Sequence, residues 1–110
     1  MKLSEKQAVF LNNMAILIIW GNSQEGWYLT GGELQRSEEQ QKIYFESGAS
    51  KTMDSKHIYR LAMDLNLFIN GEYQTDREAY KPLADFWKSL HKDNVAGYDW
   101  GWDANHFEMN

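Results

Sequence analysis

The sequence contains no cysteine. That excludes a disulfide framework, a thiolate nucleophile and a sulfur-ligated zinc, so any metal must be held by His, Asp or Glu. There is a single proline in 110 residues, and with 43% hydrophobic and 15% aromatic content this excludes a linker or a disordered tail. One compact domain over residues 1–110 is expected, burying somewhat over ~60% of its unfolded surface. Basic clusters are also missing. A formal charge of −5 and a pI near 5.1 argue against binding nucleic acid or an anionic membrane surface. Long apolar runs are absent too: Met14 to Trp20 is too short to span a bilayer, so no membrane insertion is expected. Glu5, Gln7, Asn12 and Asn13 interrupt the segment ahead of it, which therefore reads as a buried amphipathic helix and not as a signal peptide.

Three segments carry a capping-box pattern, a hydroxyl followed three residues later by Glu or Gln: Ser4–Gln7, Ser37–Gln40 and Thr75–Glu78. The first opens a helix with Phe10, Met14, Leu17 and Ile18 at helical spacing. The second opens a shorter helix that ends near Gly48. In the third, Pro82 removes a backbone donor and should kink the helix or delay its regular part, after which Leu83, Phe86, Trp87 and Leu90 form one apolar face.

Strand signals lie between the helices. Trp27 to Leu34 is aromatic and β-branched at its start and broken by Gly31-Gly32. From Arg60 to Ile69, Leu61, Met63, Leu65 and Leu67 alternate with Ala62, Asp64, Asn66 and Phe68. Asn70-Gly71 is a strong hairpin signal, with Glu72 to Gln74 as the returning strand. Asp103 to Met109 alternates again, placing His106 and Glu108 on one face, Phe107 and Met109 on the other. These elements predict an α+β domain with a small, mainly antiparallel sheet and flanking helices.

What the chain does have is a set of metal-capable side chains: His57 and Asp64 in SKHIYRLAMD, Asp103 and His106 in GWDANHFEM. Two imidazoles and a carboxylate supply three ligands and leave a fourth position open, the arrangement of a catalytic zinc site. Asp103, three residues before a ligand, is positioned to take a proton from water. Taken singly each residue has an ordinary reading: Asp64 as a solvent-facing strand residue, His106 as a satisfied sheet histidine, Asp103 as a turn former. His91 falls at a helix end, where a positive charge suits the carbonyl terminus. Glu108 shares a face with His106 and is suited to orient its imidazole. Trp100 and Trp102 read as core or cleft wall.

Ser55-x-His57 through Asp64 resembles the SxHxxGxAxD motif, and Trp102-Asp103-x-x-His106-Phe107-Glu108 the terminal (E/D)xxH(F) motif, of the zinc D-alanyl-D-alanine peptidases. That family includes VanX- and VanY-type dipeptidases and carboxypeptidases and the L-alanyl-D-glutamate peptidase endolysins of bacteriophages. Arg36-Ser37-x-Glu39-Gln40, followed by Tyr44 and Gly48, resembles the family's segment ahead of the first ligand. The likeness spans roughly Leu34 to Met109 with all three elements in order.

The resemblance implies the fold shared with the hedgehog signalling domain. It implies His57, Asp64 and His106 as ligands of one Zn2+, Asp103 as general base and Arg36 as the group that steadies the scissile carbonyl. Ser55 either contacts substrate or caps its turn. The partner implied is the peptidoglycan stem peptide, cut by a monomer, and the small size is most like the phage enzymes, which collect in the host cytoplasm before reaching the wall. Three functions follow: a phage-type L-alanyl–D-glutamate endopeptidase, a D-alanyl-D-alanine carboxypeptidase, or a metal-binding domain of the same fold without turnover. The last rests on one departure. Arg60 stands where the motif has glycine, and it is either strained at positive φ or relaxed in a β conformation pointing outward.

Overall fold

The computed structural model describes residues 1–32, 37–48 and 55–110. Among them are three α-helices and five strands: α1 (Leu3–Ser23), β1 (Trp27–Gly31), α2 (Glu38–Ser47), β2 (Ala62–Ile69), β3 (Glu72–Tyr73), α3 (Lys81–Leu90), β4 (Asn94–Ala96) and β5 (His106–Met109). Short 3-10 turns cover Lys56–Tyr59, Arg77–Tyr80 and Gly97–Trp100. The domain is α+β, with an antiparallel sheet in the order β1-β2-β5-β4 and β3 attached to β2. No helix among the described residues is long and apolar enough to cross a membrane.

β2 is the spine of the sheet because its alternation serves both faces. Leu65 and Leu67 are buried against the helices, and Met63 pairs with Phe107 on that same side. Phe10, Met14 and Leu17 of α1 and Leu83, Ala84 and Trp87 of α3 complete the core. Each large side chain so buried contributes roughly 1.5–3 kcal/mol. Trp87 also joins the layers, its indole N–H donating to the carbonyls of Val95 and Glu108, each at 3.1 Å. Leu11, Ile16 and Ile19 of α1 remain exposed, so that helix is apolar beyond its buried stripe.

The hairpin β2–β3 turns at Asn70 (φ 52°) and Gly71 (φ 83°), as Asn-Gly requires. α2 is capped by Ser37, whose hydroxyl accepts from the Gln40 N–H, and is stopped by left-handed Gly48. Two expected caps differ. Ser4 lies within the first turn of α1, which begins earlier because the Lys6 N–H reaches the Lys2 carbonyl. Thr75 yields to Asp76, whose carboxylate accepts from Glu78 and is the stronger cap. The regular part of α3 starts only at Lys81, with Pro82 in its first turn, where a missing donor costs nothing. β5 is shorter than the alternation from Asp103 suggests, because the His106 N–H bonds the Asp103 carbonyl in a turn that leads into it. β1 ends at Gly31, ahead of Glu33 and Leu34, which lie outside the described residues.

One edge of β2 is split. β5 pairs with it only through Asp64, and β3 only from Phe68. Tyr80 fills the apex of the gap, its hydroxyl accepting from the Leu67 N–H and donating to the Gln74 carbonyl. A cleft of about 210 Å³ opens there, lined by residues that include Tyr73, Gln74, Trp102, Asp103 and Asn105.

Candidate metal centre

Asp64 and His106 are direct cross-strand partners in the β2–β5 ladder. Backbone pairing therefore fixes two of the candidate ligands, with the third delivered from just ahead of β2. His57 sits in the 3-10 turn Lys56–Tyr59, held where Ser55 caps the turn by accepting from the His57 N–H at 3.2 Å. Arg60 ends the turn in the left-handed conformation (φ 57°, ψ 37°), which reverses the chain into β2. Of the two conformations open to Arg60, the fold uses the strained one, and the side chain is exposed.

The Asp64 Oδ1 lies 3.3 Å from His106 Nδ1 and 3.4 Å from His57 Nε2. A tetrahedral ion with bonds of about 2.0–2.1 Å would separate its ligands by roughly 3.3 Å. One ligand atom from each of the three residues lies within 4.8 Å of the others. The donor set, two nitrogens and one oxygen without sulfur, suits zinc, so the residues fit the metal implied by the sequence.

Charge is concentrated here. Burial alone would push the Asp64 carboxyl up, but hydrogen bonds and charge from His106 and His57 outweigh it and hold it at about 2. Burial likewise opposes charge on His106. Its contacts to Asp64 and Glu108 and the nearby charge of Asp103 prevail and raise it to about 9. In the metal-free protein this imidazole thus carries a proton on the nitrogen that faces Asp64. The other nitrogen, Nε2, is 2.8 Å from Glu108 Oε1. With Glu108 holding the Nε2 proton, the neutral ring presents the Nδ1 lone pair to the centre.

Asp103 Oδ2 is 3.7 Å from the same His106 Nδ1, at the end of the split-sheet cleft. The fold thus assembles His57, Asp64, His106 and Asp103, with Ser55 beneath the first. Arg36 lies outside the described residues. His91 ends α3, its Nδ1 accepting from the Asp93 N–H, and is not one of the grouped ligands.

Two contributors were not legible as site residues. Gly97 permits close packing of the turn that carries Asp103: a Cβ there would collide with the Asp103 carbonyl and come within 2.9 Å of the His106 Cβ. Gly32 does the same on the other side, where its N–H bonds the Asp64 carbonyl at 2.7 Å and a Cβ would meet the Asp64 Cβ at 2.9 Å. Their only sequence signal is glycine beside a strand.

By sequence, the chain matches no family model and no curated protein. By structure it is similar to the L-Ala D-Glu endopeptidase ChiX of Serratia marcescens. The TM-score is 0.75 at 18% identity, over 92% of this chain and 77% of that chain. In fold it resembles an L-Ala D-Glu endopeptidase. At that identity the likeness establishes shared architecture.

Proposed function

We propose that the protein is a zinc-dependent peptidase that hydrolyses the L-alanyl–D-glutamate bond of the peptidoglycan stem peptide, as phage-type endolysins do. The observation that carries this reading is the cross-strand pairing of Asp64 with His106, with Asp103 beside them, in a fold similar to that of an endopeptidase with this specificity.

Bound by His57, Asp64 and His106, zinc would lower the pKa of water at the open position to about 7 and polarise the scissile carbonyl. The chain's own groups do the rest. Asp64 is ionised throughout the neutral range, because its carboxyl is held at about 2. Glu108 fixes the ring of His106 through Nε2. Asp103 accepts a proton from water as its oxygen attacks the carbonyl carbon, then delivers that proton to the departing amine as the C–N bond breaks. Arg36, whose charge is permanent, is assigned by family resemblance to the developing oxyanion. A partly exposed carboxylate beside the ligands supports turnover over a purely structural metal site, which needs no base.

The test is to digest purified peptidoglycan with the zinc-loaded protein and weigh the fragments. Cleavage that frees the D-glutamate amine supports the reading. Release of terminal D-alanine alone would make the protein a carboxypeptidase, and intact peptidoglycan with zinc bound would leave it a metal-binding domain.

A further inference from the structure

Two of the largest apolar side chains are partly exposed beside the candidate metal centre. Trp100 is 39% and Trp102 52% exposed. Their rings stack at 5.7 Å between centroids, because left-handed Gly101 (φ 87°) between them turns both indoles to one side. Trp100 also lies against His106, ring centroids 5.1 Å apart. Trp102 in turn lines the split-sheet cleft with Tyr73, Gln74, Thr75 and Asn105. Exposed aromatic surface of this kind costs solvation free energy and marks a binding site more often than a scattered apolar residue does.

The chemistry of the cleft narrows the ligand. Among the described residues its lining supplies hydroxyl and amide groups and a single carboxylate, Asp103. Among the described residues of that lining there is no cationic side chain to serve as counter-charge for a phosphate or carboxylate. A neutral ligand with one apolar face and many hydroxyls fits both parts. A pyranose ring is such a ligand: its axial C–H groups are electron-poor and meet the negative face of an indole, while its hydroxyls and any N-acetyl group bond to amides and hydroxyls.

We propose that the Trp100–Trp102 stack and the adjoining cleft form a saccharide subsite for the N-acetylated sugar that carries the stem peptide. This inference rests on the peptidase reading for the identity of the sugar, and it adds a reason for the choice of bond. An extended residue spans about 3.3–3.6 Å, so a sugar joined through a short acyl group to the first stem residue lies within about two residue lengths of the L-alanyl–D-glutamate bond. The aromatic platform begins one ring away from a candidate ligand, at that same short range. Bonds further along the stem place the sugar beyond it.

The experiment has two arms. In the first, the zinc-loaded protein hydrolyses a muropeptide, with N-acetylmuramic acid attached, and the same peptide without sugar. The muropeptide should have the higher kcat/KM by about tenfold, the factor one aromatic contact supplies, expressed mainly in KM. The ratio should fall toward one in Trp102→Ala and be largely restored in Trp102→Phe. In the second arm, intrinsic tryptophan fluorescence is titrated with N-acetylglucosamine trimer, which contains no peptide bond to the stem. A saturable change in the native protein that disappears in Trp102→Ala supports the subsite even if neither peptide is cut, an outcome that would refute the peptidase reading alone. Equal hydrolysis of both peptides, or a ratio unchanged in Trp102→Ala, overturns the subsite and leaves the peptidase standing. So does a trimer titration with no saturable change.

Discussion

The two faces of the β2–β5 ladder are made by the same two strands and do opposite work. On one face Met63, Leu65, Leu67, Phe107 and Met109 pack against α1 and α3, with all but Met63 essentially inaccessible to water. On the other, Asp64, His106 and Glu108 crowd ionisable groups into a region where each charge is tolerable only through its neighbours. A period of two lets a residue and its successor be selected for different purposes. Stability and chemistry are thus separable by single substitutions, even at adjacent positions in the chain.

The largest effect should come from the polar face with the fold untouched. Asp103→Asn is near isosteric and should keep zinc and melting temperature while lowering turnover ~100- to 10,000-fold, as expected for a general base. Loss of zinc together with activity, measured by metal analysis of the purified variant, would make Asp103 a ligand and leave Glu108 the next candidate base. One residue along from His106, Phe107→Ala should do the reverse. It deletes a fully buried ring that contacts Trp87 and should cost ~3–5 kcal/mol by denaturant unfolding. Unfolding that costs less than about 1 kcal/mol would mean that the strand's inner face is not an anchor.

A smaller effect distinguishes the faces by pH. In metal-free protein the raised pKa of His106, about 9, contributes stability that is complete below its unfolded value near 6.5 and lost as pH rises through 9. The depressed pKa of Asp64, about 2, contributes stability present above 3.8 and lost as pH falls through 2. Chelated protein should therefore melt highest between about pH 4 and 6.5, whereas zinc affinity should rise with pH until His106 has lost its proton. Melting temperatures of the chelated protein that stay flat from pH 6.5 to 9 would show that His106 is not an imidazolium there. Smallest is Arg60→Gly, which relieves left-handed strain and should stabilise by up to about 1 kcal/mol, part of which is offset by the greater freedom of glycine when unfolded. Destabilisation would mean that the arginine side chain contributes more than its backbone costs.

Periodicity made β2 and the hairpin at Asn70-Gly71 legible in the sequence, because alternation and positive φ are local properties. Ser37 and Gly48 bounded α2 for the same reason. Ser4 and Thr75 misled because a cap is a competition, decided by which carbonyl or carboxylate reaches the first free N–H. β4 is not legible in the sequence, because Asn94–Ala96 is too short to show a period and exists by pairing with β5. The grouping of His57, Asp64 and His106 was readable from residue type and order, but the Asp64–His106 register and the split edge of β2 depend on contacts between segments far apart in the chain.

Asp64 and His106 are 42 residues apart, and β5, the last strand in the chain, lies between β2 and β4, which has no other strand to pair with among the described residues. Contacts of such long range form late, once the entropy of closing the intervening loop has been met. A nascent chain that stops short of residue 106 holds two of the three candidate ligands and has neither strand nor imidazole to complete the set. Insertion of β5 is therefore the step that completes the candidate site. Metal uptake at the proposed site then becomes a readout of global folding.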